Sequence, residues 1–165
     1  MSIELIEYKG RSYPAFQRDA FMGQYALPFA KRFCTGIGYD IGCGKREWCF
    51  PGALPIDTVT TEEYNAMNLP GEAVDYIFSS HCLEHLPNWV AALEHWTSRL
   101  VLGGVLFLYL PDFSQEYWRP WNNRKHLHCL NPDHVRALLE HLGYVKILVS
   151  GVDFCNSFMI VGEKE

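Results

Sequence analysis

Apolar residues along this chain fall into short runs of two kinds. Val74 to Ser80 is apolar on both faces, as a strand covered from two sides must be, and Val105 to Leu110 repeats the pattern. Ile37 to Ile41, Ala53 to Asp57, Tyr144 to Val149 and Phe158 to Gly162 read as further strands, and Ala66 to Leu69 as a short one. Two segments carry the helical period instead. Asn88 caps a helix with apolar positions Trp89, Leu93, Trp96 and Leu100. Asn131 caps another, with Pro132 in its first turn, a stripe of Val135, Leu138, Leu139 and Leu142, and Gly143 as its stop. Earlier, Phe16, Ala20, Phe21, Tyr25 and Phe29 lie at roughly helical spacing between residues 15 and 33, where Pro28 should break or kink the segment. Residues 1 to 14 read as a short strand or arm closed by a Tyr13-Pro14 turn.

Strands that alternate with helices predict an α/β fold, Rossmann-like and doubly wound around a mostly parallel sheet. The short turn near Asp153 to Ser157 allows a hairpin, and hence one antiparallel C-terminal strand. A length of 165 residues fits a single domain. Residues 1–35 would cap a core over 36–165, and the irregular stretch 112–130 would lie over it as a lid. In such sheets ligands sit beyond the carboxyl ends of the strands, so those loops are where chemistry is expected.

Composition narrows the function. Apolar residues make up 48% and charged residues 20%, which is globular. Aromatics at 15% exceed what a single sheet core needs, so some should line a pocket or an interface. The net charge is −5, and the densest basic spot holds only Arg119, Arg124 and Lys125, which disfavours a nucleic-acid partner. The longest apolar run, Val101 to Leu110, is too short to span a bilayer. Met1 to Lys9 includes Glu4 and Glu7 and no apolar block, so no signal peptide is expected. Six cysteines without a CxxC pair suit free thiols in a reducing cytoplasm. Exposed aromatics would also allow a homodimer.

The first strand runs into Asp40-Ile41-Gly42-Cys43-Gly44, a turn whose two glycines let backbone approach a ligand. A dinucleotide fingerprint would place a third glycine at position 47, where this chain has Glu47, so a nicotinamide cofactor is not expected. Asp57 ends the second strand as an anion. His81 follows the fourth strand, and His126 and His128 follow the fifth; each could act as a base. His81 and His85 have the i, i+4 spacing of helical zinc sites, but Glu84 is not placed as in HExxH and no third ligand is obvious, so no metal is assigned. Cys43 reads as packing beneath a ligand rather than as a nucleophile. Phe113, Tyr117, Trp118 and Trp121, interleaved with charges, suit a lid over an apolar or ring-shaped molecule.

These segments together resemble the class I S-adenosylmethionine-dependent methyltransferases, in particular the type 11-like group. Asp40-Ile-Gly-Cys-Gly44 is similar to that family's first motif, and Asp57 to the acidic residue that holds the ribose hydroxyls. Asn68-Leu69-Pro70 resembles the Asp-Leu-Pro segment beside the adenine. Ser79-Ser80-His81-Cys82-Leu83-Glu84-His85-Leu86 resembles the signature after strand four, Leu102-Gly103-Gly104 the turn into strand five, and His128 to Gly143 the last helix. The resemblance runs from about Ile37 to the C-terminus. It implies S-adenosyl-L-methionine as cofactor, held by Asp40, Ile41, Gly42, Cys43, Gly44, Asp57, Asn68, Leu69, Ser80 and His81. His81, His126 and His128 are then the candidate catalytic residues. Methyl transfer to a small-molecule or saccharide-like acceptor is the implied activity. Two other readings stay open: a non-catalytic cofactor-binding or regulatory module, and another nucleotide-binding Rossmann protein. Only 13 positions separate Gly44 from Asp57, so the first crossover helix should be shortened or absent.

Overall fold

A computed structural model describes residues 4–15, 21–114 and 116–165. The chain opens with β1 (Leu5–Tyr8) and β2 (Arg11–Pro14), an antiparallel hairpin. The turn lies at Lys9 and Gly10, whose φ values of 49° and 73° match the right-handed twist of the strands. Tyr13 and Pro14 are therefore strand residues, not the turn their sequence suggests. Proline is tolerated there because both strands of a hairpin are edges. Helix α1 (Gly23–Ala30) follows, runs through Pro28 and ends at Ala30. Phe16 and Ala20 of the expected helical segment lie outside the described residues.

The core is a six-stranded sheet of β3 (Gly38–Ile41), β4 (Leu54–Ile56), β5 (Val74–Ser80), β6 (Leu100–Pro111), β7 (Tyr144–Val149) and β8 (Ser157–Lys164). Its order is β4-β3-β5-β6-β8-β7. Pairing from β4 through β6 is parallel, and β8 runs antiparallel to both of its neighbours. The mostly parallel sheet with one antiparallel C-terminal strand is thus present. No α-helix links β3 to β4, only a single 3₁₀ turn at Arg46–Trp48, as the short spacing implied.

Helices cover both faces. α2 (Trp89–Ser98) starts where Asn88 Oδ1 accepts from the Ala91 N–H, and α3 (Pro132–His141) where Asn131 Oδ1 accepts from the Asp133 N–H. Leu100, expected as the last apolar position of α2, instead begins β6, because the helix stops at Arg99. Period-two alternation sorts the strand side chains. Ile77, Leu106, Leu108 and Ile160 pack with Leu93, Trp96, Val135 and Leu139 of α2 and α3. Tyr76, Phe78, Phe107 and Tyr109 point the other way, against Ala26 and Ala30 of α1 and against Phe50.

Ala66 to Leu69 is not a strand. Asn65 and Asn68 exchange backbone hydrogen bonds with each other, closing a tight turn instead of joining the sheet. The fully buried Trp96 donates its indole N–H to the Ala66 carbonyl at 2.7 Å, and Leu69 is buried against the same core. The apolar residues of this segment therefore serve as a loop anchor. Among the described residues no helix is long and apolar enough to cross a membrane.

Candidate functional site

The sheet reverses its winding between β3 and β5, where the chain leaves β3 toward β4 on one side and returns through β5 on the other. A crevice beyond the carboxyl ends of the strands forms at such a switch. Here it is a cavity of about 700 Å³, within the range of small-molecule sites. Gly42, Cys43 and Gly44 after β3, Asp57 after β4, and Ser80, His81 and Cys82 at the end of β5 all line it.

The glycine loop makes the floor. Gly42 has φ 83°, and a Cβ there would lie 2.4 Å from the Cys82 Cβ, so only glycine fits. Its N–H donates to the Ile56 carbonyl at 2.8 Å, and Ser79 Oγ donates to the Ile41 carbonyl at 2.7 Å, which locks the ends of β3, β4 and β5 together. Asp57 reaches back to the loop. Its Oδ2 accepts from the Gly44 N–H at 3.0 Å and its Oδ1 from the Val59 N–H at 2.9 Å. A carboxylate has further lone pairs on both oxygens, so Asp57 can shape the loop and still accept from a ligand.

Asp40 lines the same cavity but is only 2% exposed. Oδ2 accepts from the Phe50 N–H at 2.6 Å. Burial outweighs that bond and pushes the carboxyl up to about 8. The Cys43 thiol moves in the opposite direction, below its ordinary value, because the neighbouring Cys49 thiol hydrogen-bonds its charged form. Ile41 is fully buried and contributes its carbonyl rather than its side chain.

At the other end the wall is imidazole. His81 stands at the exit of β5 with φ 48°, a left-handed conformation that costs a non-glycine residue free energy and clusters at functional sites. Its N–H donates to the Tyr109 carbonyl at 2.8 Å, and its Nε2 lies 3.1 Å from Ser157 Oγ. Burial lowers its pKa to about 3, with His126 and His85 adding repulsion, so the ring is neutral at physiological pH. His126 is held neutral in the same way, at about 3, mainly by burial. Trp118 stacks on His126 at 5.0 Å and 13°, and both face the cavity with Asn123 and Lys125. Trp118, Asn123, Lys125 and His126 from the stretch 112–130, and Phe21, Met22 and Gly23 at the start of α1, also line the cavity.

Four candidate site residues do not line this cavity, namely Ile41, Asn68, Leu69 and His128, nor do Phe113, Tyr117 and Trp121 of the expected lid. Asn68 is exposed and donates through Nδ2 to the Glu63 carbonyl, while Leu69 is buried in the core, because the Asn65–Asn68 turn folds the segment onto α2. His128 turns away, its Nε2 lying 2.8 Å from the Leu86 carbonyl. Trp48 lines the cavity without having been singled out. It sits below Gly44, stacks on Phe21 at 5.3 Å and 17°, and carries Lys45 Nζ 4.5 Å from its ring. The high aromatic content was the one available signal for it.

Comparison with known proteins matches this arrangement. The profile of a family described as a methyltransferase domain matches residues 22–149. No curated protein matches the chain. Among solved structures, a S-adenosylmethionine-dependent methyltransferase from Thermotoga maritima, described as a possible histamine N-methyltransferase, aligns at TM-score 0.66 and 17% identity over 90% of this chain and 91% of its own. A S-adenosylmethionine-dependent methyltransferase from Archaeoglobus fulgidus aligns at 0.64 and 16% identity over 86% and 94%. The N-methyltransferase NodS from Bradyrhizobium japonicum, in complex with S-adenosyl-L-homocysteine, aligns at 0.61 and 17% over 91% and 88%.

Proposed function

The chain belongs to the methyltransferase domain family and uses S-adenosylmethionine as methyl donor, and we propose that it methylates a small polar or saccharide-like acceptor bound against its histidine wall. One observation carries this reading: a single cavity joins the glycine loop to His81 and His126. Donor and acceptor can therefore share one cavity.

The residues present fit the cofactor. The cradle at Gly42 admits no Cβ, and Ser80 Oγ is buried without a hydrogen-bond partner where it faces the cavity. Asp40 suits the methionine ammonium and Asp57 the ribose hydroxyls, while the Gly42 and Gly44 N–H groups, given to the Ile56 carbonyl and to Asp57, hold the loop in shape around that end of the ligand. The Phe21–Trp48 pair offers a flat apolar surface for the base, a role that Asn68 and Leu69 do not fill.

When bound, the sulfonium supplies an activated methyl group and a good leaving group. The chain then has to align the acceptor and exclude water. Trp118 and Phe21 narrow the cavity, and Trp118 Nε1 is a buried donor without a partner, available to an acceptor hydroxyl. His81, neutral, has Nε2 on Ser157 Oγ and Nδ1 turned toward the buried Glu84, so it lends its ring to the cavity wall and shapes the place of the acceptor. His126 beside Trp118 completes that wall.

The test is a product assay. Purified protein, labelled S-adenosylmethionine and a panel of small alcohols, amines and sugars should yield S-adenosylhomocysteine with at least one acceptor class. The His81→Ala rate should fall by about 10²-fold or more, the usual range for a positioned base or aligner. Cofactor binding without turnover on any class would instead support the non-catalytic module.

A further inference from the structure

Beneath the histidine wall lies a carboxylate that methyl transfer as described does not use. Glu84 is fully buried in the turn Leu83–His85. Neither of its carboxylate oxygens has a hydrogen-bond partner. Imidazole nitrogens surround Oε1 instead: His81 Nδ1 at 3.5 Å, His85 Nε2 at 3.8 Å and His126 Nε2 at 3.9 Å.

The proton positions make this arrangement incomplete. His85 Nδ1 lies 2.8 Å from the Lys125 carbonyl, which has no proton to give, so Nδ1 must carry it. Nε2 is the nitrogen left to face the buried carboxylate. A proton on Glu84 does not bridge 3.8 Å, which is beyond hydrogen-bond range. Two imidazole nitrogens and a fully buried carboxylate without hydrogen-bond partners, held at this spacing, are the donors a cation takes.

We propose that Glu84, His85 and His126 form a binding site for a divalent transition metal ion of the zinc class, set in the cavity wall beside the acceptor. Their ligand atoms lie within 4.8 Å of one another. A tetrahedral ion with bonds of about 2.0–2.1 Å has ligand edges of about 3.4 Å, so the three close on it by roughly an ångström. Two imidazoles and one carboxylate are the donors of open catalytic zinc sites, which keep a further position free. The outer contacts are of the kind that orient such ligands. His85 is aimed by the Lys125 carbonyl, His126 is sandwiched against Trp118, and the Glu84 carbonyl accepts from the Leu127 and His128 N–H groups, holding the His126 loop on the Glu84 turn. Spacing along the sequence stops at Glu84 and His85; the fold supplies His126 as the third ligand.

The consequence for the acceptor rests on the methyl-transfer reading. His85 and His126 line the cavity, so the free position of the ion is open to a hydroxyl-bearing acceptor. Coordination weakens the O–H bond, and its proton leaves to water. The oxygen then forms its bond to the methyl carbon as the carbon–sulfur bond breaks, and the sulfonium departs as a neutral thioether.

The experiment is a Co²⁺ titration of the full chain, reduced and stripped of metal by a chelator, followed by visible absorption. The expected result is one equivalent bound, with nitrogen–oxygen ligand-field bands and no thiolate charge-transfer band. Glu84→Gln, His85→Ala and His126→Ala should each weaken binding at least about tenfold. S-adenosylhomocysteine binding by the same variants shows that they are folded. No uptake, uptake undiminished in these variants, or a spectrum carried by thiolate and lost in Cys43→Ser would overturn the site. S-adenosylhomocysteine binding without Co²⁺ binding removes the metal site and leaves methyl transfer standing. Co²⁺ binding without cofactor binding does the reverse.

Discussion

Asp40 lies under the glycine loop, 2% exposed, with the Phe50 amide as its hydrogen-bonded neighbour and its carboxyl raised to about 8. The unfolded chain ionises this group at 3.8, so folding takes up a proton between those values. The sign follows directly. A raised carboxyl pKa gives a contribution to stability that is complete below about pH 4 and is lost as the pH rises through about 8. Asp40→Asn removes the titration and keeps an oxygen for the Phe50 N–H. The stability of the variant relative to the parent should therefore climb by up to about 1.4 kcal/mol per pH unit, and by roughly 3 kcal/mol in total between pH 6 and pH 9. Urea unfolding of both proteins across that range measures the difference, and the other titrating groups largely cancel. A flat difference would refute the claim that this carboxyl is buried without adequate compensation. The cofactor supplies a second arm. An ammonium beside Asp40 restores its charged form, so binding of S-adenosylhomocysteine at pH 7 should release roughly 0.9 proton for a pKa of about 8. Calorimetry in buffers of different ionisation enthalpy reads that number, and the release should vanish in Asp40→Asn. The residue thus weakens the free protein above neutral pH in exchange for a charge where the ligand needs one.

Two further substitutions probe the frame of the site. Gly42→Ala places a Cβ 2.4 Å from Cys82 Cβ at φ 83°. Strain and overlap together should cost at least about 2 kcal/mol, lowering Tm by roughly 4 °C or more; an unchanged Tm would show that the loop relaxes freely. Tyr109→Phe removes a buried hydroxyl that donates to Asp153 Oδ2 at 2.6 Å. Loss of a hydrogen bond to a carboxylate should lower unfolding free energy by about 1.5–3 kcal/mol, and a shift of the urea midpoint too small for that would mean Asp153 finds another donor.

Much of the fold was legible in the sequence because local signals and burial agree. Asn88, Asn131, Pro132 and Gly143 mark the ends of α2 and α3, and the doubly apolar run at Val74 to Ser80 can only be a covered strand. The spacing from Gly44 to Asp57 likewise excluded a full crossover helix, and one 3₁₀ turn stands in its place. The misreadings share one cause: tertiary contacts that local pattern does not encode. Ala66 and Leu69 look like strand residues, but the Trp96 indole binds the segment from a distant helix. The hairpin turn sits at Lys9 and Gly10 rather than at the more conspicuous Tyr13-Pro14. His126 and His128 are equivalent by position in one loop, yet they face opposite ways, because the Leu86 carbonyl captures His128 while Trp118 and the Glu84 turn hold His126. Trp48 gave no motif signal, since its place below Gly44 depends on the loop that replaces the missing helix.

In the proposed function the glycine loop, Asp57 and the histidine wall form two ends of one methyl-transfer cavity, and a crystal structure with S-adenosylhomocysteine tests that directly. The account predicts the ligand in this cavity, its ribose hydroxyls on Asp57, its ammonium toward Asp40 and its sulfur facing His81. A ligand bound elsewhere, or bound with its sulfur turned away from the histidines, would contradict it.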